Sequence, residues 1–314
     1  MDVFDAVMRD HRNALCREAI AAADMLGVLG ALTSKPATSD ELAQLLGLGA
    51  DRLRALLDVL ALEGVVAQRD GQWSAASVPG AAPKQPGWGR LVQALKDDRP
   101  VPGGDGSFSA DGLERYHMHL VQAGAVAARE VAARFEGVQG TLLDLGGGAG
   151  CYTEAWLAAD PSRRAALYDR PDVVALARSR LEEAYGGRLT YVEGDLLGEA
   201  ALDGVPPCEV VLLANVLHLY GSDTCAMLVA QAAQTVRPGG WVCVKDLWME
   251  PDRSGPPGSL YFALSMALYT EQGDVYTADV VQAWLGQAHL EHIEVARLKT
   301  GGLMVTGRRP QARR

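Results

Sequence analysis

The chain has 314 residues, 48% of them apolar and 22% charged, with a formal net charge of −10. That length suggests about two domains with room for a buried core, and the acidic balance argues against a nucleic-acid partner, whose phosphates attract basic surfaces. Cys16, Cys151, Cys208, Cys225 and Cys243 are scattered without C-x-x-C spacing, which argues against a zinc site or a disulfide framework and predicts reduced thiols in a cytoplasmic protein.

The start, MDVFDAVMRDHR, is charged throughout and does not resemble a signal peptide. Asp24, Asn215 and His218 interrupt the longest apolar stretches, so no membrane span is expected. Residues 2–32 form an alanine- and leucine-rich helical run with Ile20, Leu26, Leu29 and Leu32 at helical spacings, ended by Pro36. Thr38 opens a capping box with Glu41, followed by Leu42, Leu45 and Leu46 on one face. After the Gly47–Gly49 turn, Leu53, Leu56, Leu57 and Leu60 predict another amphipathic helix. Asp70-Gly71 between two short strand-like runs signals a hairpin.

Helix, turn, helix and hairpin make a winged helix, and charge decides its use. From Thr38 to Glu63 the cations are Arg52 and Arg54, against Asp40, Glu41, Asp51, Asp58 and Glu63. A net acidic recognition helix is repelled by phosphate, which leaves packing against a second chain. Residues 77–109, rich in Pro, Gly and Ser, predict an irregular connection. A long helix through Leu113, Tyr116, Leu120, Ala127, Val131 and Phe135 follows. His117 and His119 on it do not share a helical face, so they make a poor metal pair, and no metal site is expected.

From residue 141 strands and helices alternate, as in a parallel sheet. Thr141–Leu145 reads as a buried strand, Ala165–Tyr168 as the second, Leu189–Val192 as the third, Glu209–Ala214 as the fourth and Trp241–Val244 as the fifth. Residues 291–297 and 303–306 read as a closing hairpin, giving seven strands with a late antiparallel pairing. The tail RRPQARR reads as frayed.

The first strand breaks into Gly146, Gly147, Gly148, Ala149 and Gly150, and a helical pattern resumes at Tyr152. Strand, glycine turn and helix let backbone approach a nucleotide closely. The spacing departs from the dinucleotide fingerprint, since Cys151 stands three beyond Gly148, and no Gly-Lys-Ser/Thr of a P-loop follows. Asp169 ends the second strand, 25 residues after Asp144. A carboxylate there either accepts both hydroxyls of a ribose or caps the next helix, with Asp172 an alternative. Asp195 and Leu196 follow the third strand at the adenine end, where Asp195 accepts from an adenine amine or caps a turn. His218 follows the fourth strand and Asp246 ends the fifth, a base and an acid to orient it.

These residues resemble the S-adenosylmethionine-dependent O-methyltransferases of the caffeic-acid and hydroxyindole type, including bacterial members that decorate antibiotics. The matching motifs are Asp144 to Gly150, Asp169-Arg170-Pro171, Gly194-Asp195, and His218 with Cys225 in the histidine segment. The resemblance implies a Rossmann-like seven-stranded α/β methyltransferase domain preceded by an all-helical winged-helix dimerisation domain. It divides the chain into 1–80 for dimerisation, 81–136 lining the substrate pocket, and 137–314 for catalysis. It implies S-adenosylmethionine held by Asp144, Gly146, Gly148, Gly150, Asp169, Asp195, Leu196, Asn215 and Tyr220, where Tyr220 replaces a tryptophan that stacks on adenine. His218 is the implied base, with Asp246 where plant members carry a glutamate. Met118, with His117 and Gln122, is the implied substrate wall, in a homodimer that methylates a small-molecule hydroxyl in secondary metabolism. The second acid of the plant enzymes is lost at Val275, with Asp274 beside it. Methylation of carbon, nitrogen, sulfur or carboxylate is the alternative on the same fold, and a non-catalytic regulator is the alternative class.

Overall fold

Apolar residues at three- and four-residue intervals build the N-terminal helices. The computed structural model, which describes residues 3–76, 89–101, 110–198, 202, 205 and 207–311, has α1 at Val3–Met25 and α2 at Val28–Ser34. The expected single run is broken because Gly27 turns left-handed, at φ 77°, a conformation that costs glycine no steric clash. At the start of α3 (Ser39–Leu46) the Thr38 hydroxyl accepts from the Glu41 N–H at 3.2 Å. The Glu41 carboxylate accepts in return from the Thr38 N–H at 2.8 Å. Such a cap stabilises a helix by about 1 kcal/mol. After α4 (Ala50–Leu62), β1 (Val66–Arg69) and β2 (Gln72–Ala75) pair across Asp70-Gly71, with φ of 50° and 77°. Both central residues of this hairpin turn need positive φ. The N-terminal part is therefore not all-helical. Nor is 77–109 irregular throughout: α5 (Gly89–Asp97) buries Leu91, Val92 and Leu95. Most of the rest of that connection lies outside the described residues.

The second half alternates as expected. α6 (Ala110–Arg134) precedes β3 (Thr141–Leu145), α7 (Cys151–Ala159), β4 (Arg164–Asp169), α8 (Pro171–Tyr185) and β5 (Leu189–Glu193). β6 (Cys208–Ala214), α9 (Ser222–Thr235) and β7 (Val236–Asp246) follow. α10 (Pro257–Tyr269), α11 (Ala278–Gln287), β8 (Glu291–Arg297) and β9 (Leu303–Arg308) complete the chain. Seven strands form one sheet in the order β5-β4-β3-β6-β7-β9-β8, with β9 antiparallel to both neighbours and the other pairings parallel. The order reverses between β3 and β6, so the carboxyl ends there form the switch point at which open α/β sheets bind ligands.

Successive side chains point to opposite faces of a strand, and here both faces are covered. Leu143, Leu145, Val211, Leu213 and Val244 pack with α9 and α11 through Leu228, Trp284 and Leu285. Leu142, Leu167, Val210, Leu212 and Cys243 pack with α6, α7 and α8 through Val131, Trp156 and Leu181. Burial on both faces explains why the strands read as unbroken apolar runs. The start of the tail is held, since Arg308 belongs to β9 and Arg309 donates to the carbonyls of Gln234 and Val236. Residues 312–314 lie outside the described residues. Among the described residues no helix is long and apolar enough to cross a membrane.

By its contacts the chain divides into two compact units, Met1–Ser107 with Met249–Val275, and Phe108–Trp248 with Tyr276–Arg314. This differs from a linear division at residues 80 and 136, because α10 joins the N-terminal helices and α6 joins the sheet. The buried Arg52 of α4 caps α10, donating to the carbonyls of Ala267, Thr270 and Glu271 and pairing with Asp98. Those last carbonyls have no intrahelical donors, and a cation suits the negative end of the helix dipole. Arg253 bridges Asp58 at 2.5 Å and Asp274 at 3.0 and 3.1 Å, and Arg54 reaches Asp274 at 3.2 Å. Arg52 and Arg54 are thus both engaged within this unit. Asp58 is 5% exposed, and burial raises its pKa despite the Arg253 charge. Arg253→Leu should therefore leave a buried carboxylate unpaired and destabilise the protein by about 3–5 kcal/mol in urea unfolding at neutral pH. Adding Asp58→Asn should restore part of that loss. A loss below about 1 kcal/mol, the size of a surface ion pair, would show that the bridge carries little.

Candidate active site

The glycine turn joins β3 to α7, and its glycines answer to different constraints. Gly146, Gly148 and Gly150 have φ of 68°, 57° and 83°, the left-handed region that favours glycine. A Cβ on Gly146 would stand 2.8 Å from Val216, and one on Gly150 would strike Leu181. Core packing therefore demands glycine at these two places whether or not a ligand binds. Among the described residues a Cβ on Gly148 would meet only the His117 ring, at 3.3 Å. Gly148 is the member of the turn whose backbone can take a ligand closely.

The turn is tied to the end of β4. The N–H groups of Gly146 and Gly147 donate to the Tyr168 carbonyl at 2.9 and 3.2 Å. Gly148 N–H donates to Asp169 Oδ2 at 2.7 Å, and Arg170 N–H donates to Asp169 Oδ1 at 2.8 Å. Each oxygen keeps lone-pair capacity, since a carboxylate offers about four acceptor sites. Asp169 is half-buried, and burial raises its pKa against these hydrogen bonds. Asp195 is exposed and caps its own turn, accepting from Leu197 N–H at 3.0 Å. Leu196 is buried against the Gly146 side of the turn. Burial, Asp195 and Asp169 all raise the Tyr220 phenol, so these three side chains share one neighbourhood. The donor set suits an adenosine: a glycine approach, a carboxylate with spare lone pairs, and an apolar and aromatic wall.

Asp144 corrects an expectation. It is 1% exposed, and its Oδ2 accepts from the Thr153 N–H at 3.1 Å and hydroxyl at 2.7 Å. Its carboxylate braces the first turn of α7 from inside and presents no oxygen to a ligand. The reason is parity, since Asp144 shares the face of Leu142, which packs under α7.

His218 stands in a short 3₁₀ turn, Leu217–Leu219, directly after β6. Its Nδ1 lies 2.7 Å from Asp246 Oδ1, the ring and carboxylate being 12% and 11% exposed. Asp246 also accepts from the backbone N–H groups of His218 at 3.3 Å and Leu247 at 2.8 Å. Burial alone would raise its pKa, but the His218 charge and hydrogen bond, with Lys245 and Leu247, hold it below the usual carboxylate range. Leu217, Val244, Val281 and Leu303 line a small cavity against the pair. Cys225, fully buried, donates its thiol to the Leu217 carbonyl at 3.1 Å and so fixes the turn.

The remaining expected residues separate. Met118 and Gln122, one helical turn apart on α6, are exposed, whereas His117 turns inward onto Gly148. Burial lowers the His117 pKa, opposed by the nearby Asp169. Val275 is 2% exposed and apolar, and the Asp274 carboxylate is engaged by Arg253 and Arg54. Asn215, at φ 57°, accepts from Lys245 Nζ at 2.7 Å and donates to the Tyr152 hydroxyl at 3.5 Å. Lys245 was not expected at this edge; the one hint is a cation inside an apolar strand run.

Burial pushes the Asp144 pKa up to about 6 from its ordinary 3.8, against the Thr153 hydrogen bonds. A raised folded-state pKa makes Asp144 contribute stability that is full below its unfolded pKa and lost as pH rises through the folded one. Asp144→Asn keeps an acceptor for Thr153 and removes that loss. Relative to the parent, the variant should gain roughly 1–3 kcal/mol in urea unfolding between pH 4 and pH 7. A difference between the two proteins that does not change with pH would contradict this.

Comparison with known proteins identifies the family. Residues 109–289 match the family described as the O-methyltransferase domain. The chain is 27% identical over 311 residues to 3-hydroxy-5-methyl-1-naphthoate 3-O-methyltransferase of Streptomyces sahachiroi, covering 91% of this chain and 89% of that one. It is 24% identical to the tetracenomycin polyketide synthesis 8-O-methyltransferase of Streptomyces glaucescens, covering 93% of each. Among solved structures, an O-methyltransferase family 2 protein from Planctomyces limnophilus, in complex with apigenin, superposes with a TM-score of 0.79. That pair is 25% identical and covers 98% of this chain and 96% of that one. The fold, the match over more than half of the chain and the full-length relatives agree: the chain belongs to the S-adenosylmethionine-dependent O-methyltransferase family.

Proposed function

We propose that this enzyme methylates a phenolic or enolic hydroxyl of a small aromatic molecule in bacterial secondary metabolism, with His218 as general base. The observation that carries the proposal is the 2.7 Å contact between His218 Nδ1 and Asp246 Oδ1 at the carboxyl edge of the sheet. When Nδ1–H donates to Asp246, the proton-accepting lone pair stands on Nε2, as a base requires. The named relatives act on a hydroxynaphthoate and a tetracenomycin polyketide, which supports an aromatic acceptor.

S-adenosylmethionine, when bound, supplies a methyl group already activated on a sulfonium. The chain's own residues have three tasks: to align the acceptor, to exclude water and to take its proton. We assign Asp169 to the ribose hydroxyls, the Gly148 backbone to close approach, and Leu196, Asp195 and Tyr220 to the adenine. Gly146 and Gly150 keep the turn's shape, and Met118 and Gln122 border the acceptor. Alignment alone can supply much of the acceleration, since effective molarities reach about 10⁵–10⁸ M.

The same reading makes the protein a homodimer joined through a winged-helix module within residues 1–80. Leu53, Leu56, Leu57 and Leu60 are buried inside their own unit, so surplus apolar surface is smaller than the sequence suggests. Among the described residues of this module, Met25 and Leu45, at 48% and 71% exposure, are the large apolar side chains left for a partner copy. A monomer in light scattering at micromolar concentration would contradict the dimer.

His218→Ala should lower turnover by about 10²–10⁴-fold with little change in S-adenosylhomocysteine affinity. Asp246→Asn should lose less, because the ring remains but its orientation weakens. Near-normal turnover of His218→Ala would mean an acceptor that needs no base, such as a carboxylate, a thioether or an activated carbon. Asp169→Ala should weaken S-adenosylhomocysteine binding by calorimetry, because up to two hydrogen bonds of about 1.5–3 kcal/mol each are lost. Unchanged affinity would remove Asp169 from the cofactor site.

A further inference from the structure

The face of β7 opposite His218 carries a cation that the proposed proton transfer does not use. Lys245 is 9% exposed, and its Nζ makes a single hydrogen bond among the described residues, to Asn215 Oδ1 at 2.7 Å. No carboxylate lies within ion-pair distance of it among the described residues, and the adjacent Asp246 pairs with His218 instead. The neighbouring Cys151 thiol supplies no negative charge at neutral pH, since burial pushes its pKa up to about 11. An ammonium carries three donors and no acceptor. Burying it with one acceptor and no counter-charge is costly, and burial accordingly lowers its pKa despite Asp246 nearby.

The position of the cluster indicates what would complete it. In the β3–β6 register Leu213 stands opposite Leu145, so Asn215 falls beside the glycine turn. Its amide reaches Tyr152, in the first turn of α7. Lys245, Asn215 and Tyr152 therefore gather polar hydrogens at the turn, on the α6–α7 side of the sheet and away from the base.

We infer that Lys245, positioned by Asn215, receives the carboxylate of the cofactor's amino-acid tail. This rests on the cofactor reading above and adds a residue to it. The strand alternation then divides the labour: Asp246 orients the base on one face, and Lys245 anchors the anionic end of the methyl donor on the other. Anchoring the tail fixes the donor from the end opposite the ribose, with Asp169 holding the other end. Tyr152 and Asn215 limit the directions the ammonium can take.

The test compares S-adenosylhomocysteine with S-adenosyl-3-thiopropylamine, which differs only by lacking the carboxylate, using calorimetry on the full chain. The parent should prefer S-adenosylhomocysteine by about 10- to 100-fold, the range of one charge-assisted contact. Lys245→Met should abolish the preference while binding of the amine changes by no more than about twofold, and Lys245→Arg should keep most of it. Should Lys245→Met fail to fold, Asn215→Gly suits the positive φ, removes the lysine's acceptor, and should reduce the preference several-fold. Equal affinities in the parent, or a preference that survives both Lys245→Met and Asn215→Gly, overturn the inference and leave the cofactor reading standing. Failure of both ligands to bind the parent overturns both.

Discussion

Strand alternation at the carboxyl end of β7 sets two adjacent charges on opposite faces of one sheet, and the site is arranged around that fact. Asp246 shares the face of Val242 and Val244, toward α9, and meets His218. Lys245 shares the face of Cys243, toward α6 and α7, and meets Asn215. A register slip of one residue would exchange them, leaving the histidine beside a cation and the glycine turn beside an anion. The register is held from both sides, by β6 through Val211↔Val242 and Leu213↔Val244, and by β9 through Val244↔Val305 and Asp246↔Leu303.

In the proposed reaction the His218–Asp246 contact would also make a weak base adequate. A phenol of pKa about 10 and an imidazole of about 6.5 differ by roughly 3.5 units, or about 5 kcal/mol against proton transfer. The Asp246 pKa is held low next to the ring, and its charge would favour an imidazolium formed there by proton transfer. Burial strengthens that interaction, because the pair is nearly out of water. S-adenosylmethionine, if bound there, would supply a sulfonium whose positive charge attracts an anionic acceptor.

Local signals carried much of the fold. The Thr38–Glu41 capping box, the Asp70-Gly71 hairpin and the strand–glycine–helix junction are short-range patterns with a stereochemical cause, and each stands where the sequence puts it. Long-range consequences were not readable. Nothing near residue 257 indicates that α10 joins the N-terminal helices, since that depends on Arg52 and on the Asp58 partner of Arg253, both far away in sequence. Asp144 reads as a ligand residue from its place in the motif, but strand parity turns it inward to Thr153. His117 and Met118 are neighbours in sequence and part by about 100° around α6, so one covers Gly148 while the other is left exposed. Lys245 is conspicuous only once Asn215 is seen beside it.

In the proposed reaction donor and acceptor meet between the glycine turn and His218. A crystal structure with S-adenosylhomocysteine and an aromatic hydroxyl acceptor tests it most directly. The acceptor oxygen should lie within hydrogen-bond reach of His218 Nε2, about 2.6–3.2 Å, and in line with the sulfur. An acceptor oxygen held away from His218, with S-adenosylhomocysteine in place over Gly148 and Asp169, would contradict it.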